Sequence, residues 1–298
     1  MLLTILTPAW NRAHTLPRTY DSLRAQTRKD FVWLILDDGS TDGTAALVRD
    51  WQNRDNGFPI VYHALPHRGL PRTLNAGAAL CRTPWLLRLD SDDCLLPEAV
   101  EYVLRQLPQV ADRTDFAGIA FGRCRPDGSW MRGKTPKIDP RLGHLDAPNT
   151  RRAEFNLDQD MCEVLRTELL RQFPFPCWPG EDFAPEQLSY NAMALAGYRI
   201  RWFPERLCLC SYLPDGLTRN RSIVKENPMG YAMMHNQNLL LRRSFREKCR
   251  CAMQMTALAL WAGHPGYLLR SNCPAATLLT LPLGILLAIR RHIQFGRI

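Results

Sequence analysis

The chain lacks two glycine signatures that readily assign an α/β protein. No Gly-x-Gly-x-x-Gly follows its first apolar run, and there is no Gly-x-Ser-x-Gly elbow. These absences disfavour a dinucleotide fold and an α/β-hydrolase. The string GSWMRGKT (128–135) spells Gly-x-x-x-x-Gly-Lys-Thr, but it lies where Pro, Gly and Arg break up the pattern and Pro136 follows it directly, so it lacks the strand–loop–helix setting of a P-loop. Glycine (18) and proline (22) are too sparse in 298 residues for a collagen-like or low-complexity chain. The opening MLLTILTPAWNR has no basic stretch and no apolar run long enough for a signal peptide, so a cytosolic chain is expected. Its ten cysteines are then expected as reduced thiols. Cys208-x-Cys210 and Cys249-x-Cys251 lack zinc-finger spacing, which argues against a zinc site. What is present, 46% hydrophobic and 22% charged residues, is ordinary for a globular protein of one or two domains.

Acids are nearly missing from one region. Residues 1–218 hold 26 Lys+Arg against 27 Asp+Glu, whereas residues 219–298 hold 12 against only Glu226 and Glu247. The whole excess of positive charge therefore lies in the last 80 residues, which suits nucleic acid, an anionic membrane or a solvated helix face. Ala275–Ile289 has no charge and is followed at once by Arg290, Arg291 and His292. The run is short of the ~20 apolar residues of a spanning helix, and Pro282 and Gly284 interrupt it. A segment over 275–293 lying on an anionic membrane surface fits better, with a buried terminal helix as the alternative. The basic region lacks interleaved aromatics for base stacking, so no nucleic-acid partner is expected.

Strand and helix alternate over the first ~120 residues, the pattern of βαβ units around a parallel sheet. Leu2–Thr7, Phe31–Leu36, Pro59–His63, Trp85–Leu89 and Phe116–Phe121 read as strands. His14–Gln26, a stretch capped by Thr41 or Asp42 and running to Trp51, Leu70–Cys81 and Pro97–Gln106 read as helices. From Arg123 to Pro179 the pattern loosens. Ala184–Ala196 reads as helix again, followed by extended runs at Arg199–Phe203 and Leu207–Tyr212.

Two strands drive straight into acids, at Asp37-Asp38 and at Asp90-Ser91-Asp92-Asp93. Ligands of open α/β sheets bind beyond the carboxyl ends of the strands, so both clusters should face one crevice. Carboxylates crowded at that point suit Mg²⁺ or Mn²⁺ bound together with substrate phosphates. Helix capping is the competing explanation, although one acid is enough for a cap.

Taken jointly, T-I-L-T-P-A-W-N-R (4–12), Q-T-x-x-D-F-V-W-L-I-L-D-D-G-S-T-D (26–42), L-N-A-G (74–77) and L-D-S-D-D-C-L-L-P-E (89–98) resemble the family 2 glycosyltransferases over residues 1–125. A later stretch, 212–220 with 227–231, is similar to a subgroup that builds bacterial surface polysaccharides. The resemblance implies a GT-A fold: an α/β, mostly parallel nucleotide-binding sheet with helices on both faces, plus a helical C-terminal extension. It implies a nucleotide-binding half over 1–125, an acceptor-binding half over 126–218 and a basic helical region over 219–298. It also implies a UDP-linked sugar donor, a glycan or lipid-linked acceptor, inversion at the anomeric carbon, Mn²⁺ or Mg²⁺ as cofactor, and a position on the inner face of the membrane. Pro8, Trp10, Asn11 and Arg12 match the nucleotide loop, and Asp38 the acid that reads uracil. Asp90 matches the ribose or metal-shell acid and Asp92 the metal ligand, with Asp93 able to share that role. Where similar proteins carry Asn-x-Gly-Lys, this chain has His67-Arg68-Gly69-Leu70, so Arg68 or Arg72 would supply the phosphate or uracil contact. For the base, spacing to Gly197-Tyr198 favours Glu186, whereas the Glu-Asp pattern favours Asp182. A sugar nucleotidyltransferase and a non-catalytic binding subunit are the alternative functions.

Overall fold

The structure, a computed structural model, describes residues 1–158, 160–210, 216, 220 and 222–296. Most of the 212–220 stretch therefore lies outside the described residues, as does the end of the extended run expected over Leu207–Tyr212. The chain divides into two compact units, Met1–Pro174 with Tyr190–Leu213, and Phe175–Ser189 with Pro214–Ile298.

The first unit is built on a nine-stranded sheet. Its strands are β1 (Leu3–Ala9), β2 (Phe31–Asp37), β3 (Ile60–Ala64), β4 (Trp85–Arg88), β5 (Cys94–Leu95), β6 (Phe116–Cys124), β7 (Leu145–Ala147), β8 (Met161–Arg166) and β9 (Arg199–Leu209). The order is β3-β2-β1-β4-β8-β6-β9-β5, with β7 also on β9. Strands β1, β2, β3, β4, β6 and β9 run one way, and β5, β7 and β8 the other. This is the expected GT-A-like α/β sheet. The sequence pattern did not reveal β8, which inserts antiparallel between β4 and β6. The two extended runs expected after residue 198 form one strand, β9, whose register shifts against β6 around Pro204.

Both sheet faces are covered because side chains alternate along each strand. Leu3, Ile5, Phe31, Trp33 and Ile35 pack with Tyr20, Leu23, Val48, Trp51, Val100 and Val103 on the helices Leu16–Arg24, Thr44–Gln52 and Ala99–Gln106. The rings of Tyr20 and Trp51 stack 4.3 Å apart in this layer. On the other face, Gly77 of helix Leu70–Leu80 lies directly on Leu6. Parallel pairing carries Ala9 opposite Asp37, and Leu6 opposite Arg88. The chain therefore leaves β1, β2 and β4 side by side at their carboxyl ends.

The second unit is helical. Pro228–Leu241, Phe245–Trp261 and Pro274–Phe295 enclose a core of Met229, Leu239, Met255, Leu258, Trp261, Tyr267 and Ala276. Ser244 and Glu247 form a reciprocal capping box at the start of the second helix. Glu181 accepts from the Met229 and Gly230 N–H groups (2.6 and 2.7 Å), at the start of the first.

Candidate active site

The loop after β1 is held by the one after β2. Asn11 sits at φ +52°, its N–H donating to Ser40 Oγ (2.8 Å) and its Oδ1 accepting from the Thr41 N–H (2.8 Å). The Arg12 N–H donates to Thr44 Oγ1 (3.0 Å). Gly43, not Thr41 or Asp42, is the N-cap of the following helix, and Asp42 serves as a brace that accepts from the Ala13 and Thr44 N–H groups. Pro8 is the last residue but one of β1, and Trp10 stands half-exposed with its ring stacked on His67 at 4.5 Å.

Asp37 and Asp38 divide their work. Asp37 is buried and accepts from the Ser40 N–H (2.7 Å) and the Tyr62 hydroxyl (2.6 Å). Burial and this bond push the Tyr62 pKa up. Asp38 accepts from the Arg68 N–H at Oδ1 (3.0 Å) and the Gly69 N–H at Oδ2 (2.9 Å), and its Oδ2 lies 2.8 Å from His67 Nδ1. It thereby clamps the turn that starts helix Leu70–Leu80. Gly39 makes the clamp possible: its φ is +80°, and a Cβ there would lie 2.8 Å from the His67 backbone nitrogen. Arg68 points out exposed from this turn, and Arg72 Nη1 donates to the Arg68 carbonyl (2.7 Å).

At the end of β4 the three acids differ sharply. Asp90 accepts from Arg88 Nε (2.8 Å) and Arg123 Nη1 (2.9 Å). Burial opposes its ionisation, but the two arginines outweigh it and hold its pKa well below the usual carboxylate range. Asp93 is buried and accepts from the same Arg123 Nη1 at 2.6 Å. Burial raises its pKa despite Arg123, with Asp90 and Asp92 adding to the rise. Among the described residues, half-buried Asp92 makes no hydrogen bond or ion pair to another side chain. Its pKa is raised by burial first and by the Asp90 charge second, against the pull of Arg12.

A hard divalent cation fits this donor set at one acid in particular. Asp92 offers an uncommitted carboxylate beside a charged neighbour, whereas the outward needs of Asp90 and Asp93 are already met by arginine. Behind them, ligand atoms of Asp93, Cys208 and Cys210 lie within 4.8 Å of one another. Arg123 Nη1 sits 4.0 Å from Cys210 Sγ; the bond to Cys162 and then burial push the Cys208 pKa up, and the bond to Cys208 and then burial push up that of Cys210. A guanidinium and protonated thiols fill this place, and all ten cysteines are free of disulfides. Arg88 and Arg123 were not singled out from sequence. Arg88, two residues before Asp90, was the only local signal, and Arg123 had none.

The structure thus gathers Pro8, Trp10, Asn11, Arg12, Asp38, Arg68, Arg72, Asp90, Asp92 and Asp93 at the carboxyl ends of β1, β2 and β4. Glu186 and Asp182 lie in the second unit's 175–189 segment. Asp182 is exposed, and its N–H donates to Asn227 Oδ1 (3.0 Å). Glu186 is half-buried immediately before helix Gln187–Leu195.

A family profile described as glycosyl transferase family 2 matches residues 4–172. The chain belongs to this family. A chondroitin synthase of Pasteurella multocida is 33% identical over 129 residues, 43% of this chain and 13% of that protein. An uncharacterized glycosyltransferase of Haemophilus influenzae is 33% identical over 109 residues, 36% of this chain and 35% of that one. The match thus spans only a part of either relative. S. aureus TarS 1-349 in complex with UDP-GlcNAc superposes with a TM-score of 0.64 at 16% identity, over 97% of this chain and 82% of that one. The Pyrobaculum calidifontis mannosyltransferase in complex with GDP-Man and Mn²⁺ gives 0.53 at 15%, over 98% and 86%. At such identities the likeness is one of fold, and it agrees with the GT-A sheet of this family 2 glycosyltransferase.

Proposed function

We propose that this glycosyltransferase moves a sugar from a UDP-linked donor to a hydroxyl of a glycan or lipid-linked acceptor, with inversion, in surface polysaccharide synthesis. The observation that carries the reading is Asp92: a partly buried carboxylate, without a side-chain partner, at the carboxyl end of β4 beside an arginine-held acid. Such a group is under-compensated unless a cation or a proton joins it. The synthases among the relatives and the UDP-GlcNAc and UDP complexes among the fold neighbours support the donor class.

In this reading residues 1–125 bind the donor, 126–218 shape the acceptor site and 219–298 meet an anionic membrane surface on the cytoplasmic side. Trp10, Asn11 and Arg12, with Pro8 at their base, line the nucleotide. Asp38 fixes the turn that meets uracil, and Arg68 or Arg72 faces the phosphates. Asp92 holds Mn²⁺ or Mg²⁺, with Asp90 oriented by its arginines toward the ribose or the metal's water shell and Asp93 as a buried support. The bound ion supplies Lewis-acid stabilisation of the departing diphosphate. Glu186, or alternatively Asp182, takes the proton of the acceptor hydroxyl as it attacks the face opposite the leaving group. Positioning of the two substrates supplies the rest of the rate.

Calorimetric titration of UDP with and without Mn²⁺ tests the donor site. Wild type should bind only with the metal, and Asp92→Ala should lose that binding. Metal-independent binding unchanged in Asp92→Ala would sink the assignment.

A further inference from the structure

Helix Pro274–Phe295 is amphipathic in an inverted sense. At about 100° per residue, Ala276, Thr280, Gly284 and Ala288 share one face, four residues apart. All four are buried. They let the helix approach Phe245–Trp261 so closely that a Cβ on Gly284 would meet Thr256 Cγ2 at 2.6 Å. The large side chains lie on the other side: Leu279, Leu286 and Ile293, seven apart, are 66%, 62% and 80% exposed, with Leu278, Leu283 and Ile289 exposed beside them. A helix placed for water would bury its large residues and show its small ones. Small residues against protein and large aliphatics outward is the arrangement suited to lipid.

The same helix is framed by positive charge. Arg270 precedes it and Arg290 and His292 flank the aliphatic stripe near its end, in a region with 12 Lys+Arg and two acids. Its length of 22 residues would suffice to cross a bilayer. Its packed face argues otherwise. The partner helix begins Phe245-Arg246-Glu247-Lys248 and carries Arg250, and Arg291 on the packed face bonds Gln254 Oε1 (2.8 Å). Crossing would drag these groups into hydrocarbon.

We propose that Pro274–Phe295 lies in the plane of an anionic lipid surface, its Leu279–Leu286–Ile293 face sunk among the acyl chains and its flanking arginines at the level of the phosphates. This rests on the membrane attachment proposed above and names the surface and the mode. Both the aliphatic burial and the charge attraction contribute, so binding falls with salt without vanishing.

Co-sedimentation of the full chain with vesicles of phosphatidylcholine alone, or mixed with phosphatidylglycerol, tests it. The chain should pellet with the mixed vesicles, and be released by alkaline carbonate. Leu279→Gln/Leu286→Gln/Ile293→Gln should lower the partition at least about tenfold. Circular dichroism and UDP binding should stay as in wild type, because the three sites touch solvent. If the triple variant sediments like wild type, this surface is wrong although membrane attachment stands. Absence of binding by the wild type overturns both. Resistance to carbonate means the helix crosses. A wild-type dimer that the triple variant converts to a monomer, without vesicle binding, means a second copy covers the face.

Discussion

Arg123 and Asp92 are close neighbours with opposite obligations. Arg123 bonds Asp90, Asp93 and the Met161 carbonyl at once. Arg123→Gln leaves two acids without their shared cation, and breaking such a buried pair costs about 3–5 kcal/mol. Urea unfolding should show that loss, with Arg123→Lys recovering only part because an ammonium lacks the planar fork. Asp92→Ala should leave stability within about 0.5 kcal/mol, or raise it, since the carboxylate has no partner to lose and repels Asp90. Equal losses from both variants would contradict this division. Sequence alone showed where the acids stand but not which one is uncommitted. That depends on an arginine from β6, 30 residues beyond Asp93, whose side chain only the sheet order brings to them. Asp37 and Asp38 were ambiguous for a similar reason: capping, clamping and ligand contact all ask for the same carboxylate.

At the scale of elements, the βαβ alternation over residues 1–120 was readable because each buried strand is a short apolar run ended by Pro, Gly or Asp. Strand β8 was not, since Met161-Cys-Glu-Val-Leu-Arg166 is brief, mixed in polarity and set among arginines and prolines. Helix Pro274–Phe295 was legible as apolar, but an almost uniformly apolar helix gives periodicity little to work on, so its inward face had to come from packing. Helix Pro228–Leu241 adds a pH dependence. Burial foremost, and then Arg291 and Arg242, lower the His235 pKa to about 4, and its Nδ1 has no partner among the described residues. The unfolded imidazole takes up its proton near pH 6.5 while the folded one does not. Stability is therefore complete above that range and declines as pH falls toward 4, by roughly 3 kcal/mol if expressed in full. Denaturant titrations at pH 7 and 5 should show the decline in wild type and a smaller one in His235→Gln. An equal decline in the variant would assign it to other groups.

For the whole molecule, composition already separated a balanced first part from a basic last one, and the two compact units divide the chain at almost the same point, near residue 213. What composition missed is that 175–189, with both candidate bases, belongs to the later unit. If the proposed roles hold, Glu186→Gln should abolish sugar transfer while UDP binding, assigned above to first-unit residues, persists. If Asp182→Asn does so and Glu186→Gln does not, the spacing argument for Glu186 fails.

The seat of β8 between β4 and β6 bears on how donor preference can pass between relatives. A crossover after residue 125 would hand on β4 and β6 without the strand between them, so both would have to pair with a foreign one. A crossover after residue 172 would hand on the β4–β8–β6 seam whole. The stretch matched by the family profile ends at that residue. The smallest exchangeable cassette is then set by a six-residue strand that carries none of the acidic motifs, and a gene shuffler who trimmed to those motifs would recover misfitted sheets instead of new specificities.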